Sequence, residues 1–199
     1  MIVHFIALTL KLFFLLTPFF ALSIFLSMTS SMAEIEQKNI ARRTAFASLC
    51  TCCFVYFFGE FFFSLMGITL DAFRIGAGAV LFLSAITLIN GKFKAPKNES
   101  GDIAVVPLSI PVTIGPGTMG TLLVLGAESS TITTKIIDCV SILSAVAAVG
   151  TMLYFSSTVD RLLGKRNIVI ISKLTGLILS ALAAQLIFTG IVNFFKLEV

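Results

Sequence analysis

The stretch from Val106 to Gly120 is where residue types point most directly to chemistry: Val106-Pro107-Leu-Ser109-Ile-Pro111-Val-Thr113-Ile-Gly115-Pro116-Gly117-Thr118-Met-Gly120. Pro107, Pro111 and Pro116 fall within ten residues. Each lacks an amide hydrogen and its ring clashes with the preceding turn, at about 3 kcal/mol for a helix interior. Pro116 also biases Gly115 away from helical angles, and Gly115 and Gly117 admit conformations that other residues avoid. Two half-helices with an unwound turn between them are therefore predicted. Such a break frees amides at the start of one half-helix and carbonyls at the end of the other. A small polar or zwitterionic ligand would satisfy both, its carboxylate against amides and its ammonium against carbonyls. Ser109, Thr113 and Thr118 add hydroxyls, and Thr17, Pro18 and Ser23 form a similar group near the N-terminus. The predicted binding set is thus Thr17, Pro18, Ser23, Ser109, Pro111, Thr113, Gly115, Pro116, Gly117 and Thr118. The alternative is a kinked but closed helix whose prolines are accommodated by Ser/Thr side chains and neighbouring helices.

Covalent chemistry finds no support. The single histidine, His4, is remote in sequence from any Ser or Cys it would need to activate, so no enzyme is predicted. Cys50, Cys52, Cys53 and Cys139 sit in apolar runs, three of them in one run, and read as small packing residues. No metal site or other cofactor is predicted. A phosphate loop of the Walker type is absent, as is a basic helix with interleaved aromatics, so neither ATP-driven chemistry nor a nucleic-acid partner is expected.

The elements that must position the Pro/Gly stretch are membrane helices. Apolar residues make up 57% of the 199 and charged residues 12%, with mean hydropathy +1.06, too little polar surface to solvate a globule. About 20 apolar residues cross a bilayer as helix, and six segments fit: 5–28, 45–66, 72–90, 103–126, 136–155 and 168–188. The lipid bilayer is the first partner implied. A competing reading makes the first segment a signal peptide, with Ser31-Met32-Ala33 as cleavage site. Its long apolar run, internal Pro18 and lack of Lys or Arg before Phe5 argue against that. Alternate connections carry nine Lys or Arg residues against four on the opposite side, which predicts both termini outside the cytoplasm.

A polar linker over 93–102 divides the chain into halves, 1–92 and 103–199, of three helices each. Laying Pro18 over Pro111 and Ser23 over Pro116 suggests that the halves are related. An odd number of spans per half would invert the second against the first, a recurring transporter plan. The fold class expected is all-α: a polytopic membrane protein of six transmembrane helices in two inverted three-helix repeats, with helices 1 and 4 broken. Lys11 is expected to snorkel to the interface. Glu60 and Arg74 are expected as an ion pair at the outer end, a proton-coupling role for Glu60 being the alternative. Asp138 is placed one turn into the fifth span, near water.

Three motifs resemble the MarC family of bacterial inner-membrane proteins. Pro107-Leu-Ser-Ile-Pro111-Val-Thr-Ile-Gly115-Pro116-Gly117 is similar to its Pro-Leu-Ala-Ile-Pro-x-x-x-Gly-Pro-Gly. Phe73-Arg74-Ile75-Gly76-Ala77-Gly78-Ala-Val-Leu81-Phe82 and Gly176-Leu-Ile-Leu-Ser-Ala181-Leu-Ala183-Ala-Gln185 are similar to two others. The resemblance covers nearly the whole chain. It implies a transporter-like fold in the bacterial inner membrane, with small neutral amino acids as cargo. It departs in the first span, where the family's Asn-Pro-x-x-x-x-Pro is met by Thr17-Pro18 and Ser23, so one hydroxyl replaces an amide that both donates and accepts. A membrane scaffold without its own substrate is the other function to weigh.

Overall fold

The computed structural model describes residues 2–91 and 104–195. The linker expected over 93–102 lies outside the described residues, as do the side chains of Glu60 and Pro111. Among the described residues the structure is helical, without strands: α1 (Ile2–Leu15), α2 (Pro18–Thr29), α3 (Glu34–Met66), α4 (Leu70–Asn90), a π-helical segment π1 (Ala104–Thr113), α5 (Pro116–Glu128), α6 (Ile132–Tyr154) and α7 (Ser156–Phe195). Gly164, at φ 75°, interrupts α7 near its start. Four stretches are long and apolar enough to cross a membrane: Ile2–Thr29, Leu70–Asn90, Ile132–Tyr154 and Arg166–Phe195. The second and fourth predicted spans fall on α3 and on π1 with α5. The fourth is cut into pieces of 10 and 13 residues, each short of the ~20 that a helix needs to span.

Local chemistry sets the helix ends. Thr69 and Thr131 accept the amides of Ala72 and Thr134 at 3.3 and 3.2 Å and start α4 and α6. Gly67 and Gly91, at φ 62° and 65°, stop α3 and α4 in the left-handed region that favours glycine. In the charged first turns of α3, Lys38 Nζ meets Glu34 Oε1 at 2.7 Å. That contact holds the Glu34 carboxyl below its ordinary range and the Lys38 ammonium above its own. Further along α3, Phe54, Phe57, Phe61 and Leu65 recur at helical spacing and are all more than half exposed. An apolar stripe of this kind suits contact with lipid.

The most extensive helix pair is α4 with α7, packed antiparallel. A methyl group on Gly78 would lie 2.9 Å from the Ala183 carbonyl oxygen and 2.6 Å from Ile187 Cγ1. One on Gly176 would lie 3.0 Å from the Ala85 carbonyl oxygen and 2.8 Å from Ile89 Cγ1. Small residues permit this approach, and contact packing holds helices together in lipid. Gly76, by contrast, faces open space. α3 and α6 are tied by polar contacts: the Tyr56 hydroxyl donates to Asp138 Oδ2 at 2.9 Å, and Arg42 Nη2 donates to the Tyr154 hydroxyl at 3.3 Å.

One polar residue differs from expectation. Asp138 is 2% exposed, capped by Tyr56 and by the Ser129 hydroxyl, because the α5–α6 turn folds over it instead of leaving it to water. Arg74 binds Asp71 one turn back and Glu128 at the end of α5, and the Glu60 side chain expected beside it lies outside the described residues.

Candidate functional site

Both broken segments interrupt their helices beside a proline, by different means. The α1 helix closes with the Leu16 and Thr17 amides on the carbonyls of Leu12 and Phe14, each at 3.0 Å. Thr17 then turns left-handed, φ 46° and ψ 54°, and Pro18 opens α2 at its first position. Proline cannot continue α1 and disfavours helical angles in the residue before it. A β-branched residue at positive φ costs on the order of 1–3 kcal/mol. In π1 the hydrogen bonds reach five residues back: Thr113 Oγ1 meets the Leu108 carbonyl at 2.7 Å, and the Ile114 amide meets the Ser109 carbonyl at 2.8 Å. Gly115 is extended, φ −79° and ψ 169°, and Pro116 opens α5.

The two breaks cap one another. Thr17 Oγ1 donates to the Val112 carbonyl at 3.2 Å, and Thr118 Oγ1 donates to the Leu15 carbonyl at 2.8 Å. Each hydroxyl thus satisfies a last-turn carbonyl of the other broken segment. Residues at the starts of α2 and α5 border one space, and first-turn amides of a helix have no acceptor within it. The crossing therefore holds satisfied carbonyls and outward-facing amides, the positive ends of two helix dipoles.

A cavity of about 170 Å³ adjoins the crossing, and among the described residues no charged one lines it. Its lining contains Thr17, Gly115, Pro116, Gly117 and Thr118 from the predicted set. Four of the other five lie elsewhere. Pro18 is buried at the head of α2. Ser23 lines a neighbouring cavity. Ser109 shares a hydrogen bond with Ser48 at 3.0 Å on the α3 side. Thr113 is spent inside π1, and the Pro111 side chain lies outside the described residues. Sequence reasoning missed the opposite wall: Phe20, Leu81, Ser84, Thr87, Leu88 and Leu179. Ser84 and Thr87, three apart in an apolar run, were a legible signal, since that spacing puts both on one helix face. Their hydroxyls donate to the Val80 and Leu83 carbonyls, each at 2.9 Å. All four hydroxyls at this cavity thus use their protons on backbone and offer a solute acceptor lone pairs. The volume suits a solute about the size of a few waters.

Two further cavities extend the first along the α4–α7 pair. One of about 160 Å³ shares Phe20, Thr87 and Leu88 with it and reaches Ser23, Ser172 and Lys173. The other, about 200 Å³, lies roughly one helical turn the other way, from Leu15 to Leu12 on α1 and from Leu179 to Leu182 on α7. Lys11, Arg74, Glu128 and Gln185 line it. At Leu81 the packing is close, and a methyl group on Gly117 would come 2.7 Å from Leu81 Cα.

A family model described as MarC family integral membrane protein matches residues 2–195. Among curated relatives, a UPF0056 membrane protein of Methanocaldococcus jannaschii is 33% identical over 190 residues, covering 91% of this chain and 92% of the relative. A UPF0056 membrane protein of Aquifex aeolicus is 30% identical over 205 residues, covering 98% and 95%. The UPF0056 membrane protein YvbG of Bacillus subtilis is 31% identical over 195 residues, covering 93% and 92%. No solved structure matches the chain.

Proposed function

The chain belongs to the MarC family of integral membrane proteins, and from that premise we propose that it is a secondary transporter, and not an enzyme, moving a small neutral solute, a neutral amino acid, across the inner membrane. The observation that carries this reading is the uncharged cavity at the crossing of two broken helices. Amides from two half-helix starts receive the carboxylate. Hydroxyl lone pairs of Ser84 and Thr87 accept from the ammonium, because Thr17 and Thr118 already occupy the carbonyls first assigned to that task.

Six spans in two inverted repeats, with both termini outside the cytoplasm, are part of the proposal. One constant separation in sequence carries Pro18 onto Pro116, Tyr56 onto Tyr154, Gly78 onto Gly176, Ala85 onto Ala183 and Ile89 onto Ile187. The two prolines each open a half-helix, so Pro18 answers to Pro116 in this register and not to Pro111. The contacts of Gly78 on Ala183 and Ile187 repeat as those of Gly176 on Ala85 and Ile89. Both tyrosines tie α3 to α6, one through an acid and one through a base. These correspondences support a two-fold relation between the halves.

Uptake of labelled glycine and alanine into proteoliposomes tests the function. Saturable uptake above protein-free vesicles, competed by unlabelled alanine, is the expected result. Absence of uptake for every neutral amino acid tried, with correctly inserted protein, sinks it. A scaffold without substrate is the second reading, favoured by the mutual capping of the breaks, which holds the crossing together without a ligand.

A further inference from the structure

Lys11 is a charged residue in an otherwise apolar helix, and in the structure it lines the cavity of about 200 Å³ between α1, α4, α5 and α7. An ionisable group at such a place is costly unless something on the inside of the bundle compensates it. Snorkelling to the interface was the sequence expectation, and the structure shows the lysine bordering this cavity. Among the described residues the Lys11 ammonium has no hydrogen bond and no ion pair. The other cation at this cavity is differently placed, since Arg74 is held by both Asp71 and Glu128. Of the charged side chains described on the wall, Lys11, Arg74 and Glu128, only the lysine makes no direct ion pair.

We propose that this cavity is a binding site for the carboxylate of a small solute, with Lys11 as its counter-ion. Gln185 and Thr189 of α7 border the same space and supply neutral hydrogen-bonding groups around the bound carboxylate. Lys11 and Arg74 against Asp71 and Glu128 leave the group neutral overall, so a single carboxylate at Lys11 adds the least excess charge; a dicarboxylate would place its second charge near Glu128. The site lies about one helical turn from the uncharged cavity at the crossing. It rests on the transport reading only for its role as a first stop on the route of an amino acid, and the carboxylate chemistry stands without that reading.

Equilibrium binding of radiolabelled acetate, alanine and methylammonium to the purified protein in nanodiscs tests the proposal. Wild type is expected to bind acetate or alanine and not methylammonium. Lys11→Met should weaken carboxylate binding by about tenfold or more, the effect of losing a charged hydrogen-bond partner, and Lys11→Arg should keep most of it. Alanine bound in preference to acetate identifies a zwitterion as the source of the carboxylate, and the reverse identifies a simple anion. Wild-type affinity in Lys11→Met, or a wild type that binds neither carboxylate, overturns the site. Should Lys11→Met fail to insert, wild type itself decides. Saturating acetate must slow acylation of Lys11 by an amine-reactive reagent, mapped by mass spectrometry, relative to chloride; an unchanged rate overturns the site. Lys11-dependent acetate binding without amino-acid uptake would leave this site standing and remove the transport reading. Uptake without Lys11-dependent binding would do the opposite.

Discussion

The two broken helices reach the same crossing by unlike routes. Around Pro116 the sequence spends several residues: two prolines inside π1, an extended Gly115, and Gly117 against α4. Around Pro18 a single residue does the work. Thr17 is the only non-glycine at positive φ among the described residues, and it is held there by one proline and one long-range hydrogen bond. The second break is built from backbone preferences that act locally. The first depends on the second, because its strain is offset by a carbonyl contributed from Val112. A break written in glycine and proline will form wherever the chain is placed, whereas one written in threonine needs the assembled bundle.

Substitutions can break that comparison at either side. The largest effect belongs to Gly117→Val. Its added carbons would meet Leu81 Cα at 2.7 Å and Cβ at 2.9 Å, so α4 must move away from α5. A loss of about 1–3 kcal/mol in stability is expected from overpacking, read as a lower melting temperature in detergent, along with reduced uptake. A melting temperature equal to wild type would show that the contact between α4 and α5 is soft. Next comes Thr118→Val, which leaves the buried Leu15 carbonyl without its 2.8 Å donor; about 1–3 kcal/mol should be lost. Thr17→Val removes the longer 3.2 Å bond and should cost about 0.5–1.5 kcal/mol, less than Thr118→Val on the same melting assay. The opposite order would mean that the first break is the stronger of the two. Smallest, and of opposite sign, is Thr17→Asn. Asparagine tolerates the left-handed region better and keeps a donor for Val112, so a gain of about 0.5–1 kcal/mol is expected. A lowered melting temperature would count against strain at position 17.

Helical membrane architecture was legible because hydropathy and span length are local properties, and the Pro/Gly stretch marked the second break for the same reason. Pro18 marked a kink in the first segment, but nothing in Leu16-Thr17 announced a left-handed threonine. The partners of Thr17 and Thr118 were not legible either. Each hydroxyl finds a carbonyl about a hundred residues away, and short-range patterns carry no such information. The same limit explains Asp138. Distance from the helix end suggested water, whereas Tyr56 and Ser129 from neighbouring segments cover it. Thr113 and Ser109 illustrate the reverse error, since hydroxyls close to the break in sequence are turned into π1 and towards α3.

The paired glycine contacts of α4 and α7 have a mechanical consequence. Each helix carries a notch that receives the other's backbone, at Gly78 and at Gly176. Two notches spaced along one seam resist both sliding and rolling, as two dowels fix a joint that one would let pivot. The pair should therefore behave as a stiff beam, with compliance concentrated in the segments that lean on it: the single-residue joint at Thr17, the wide turns of π1, and the bend at Gly164. Any change in which cavity is open then comes from those joints flexing against the beam, and a disulfide across the α4–α7 seam would leave it unhindered.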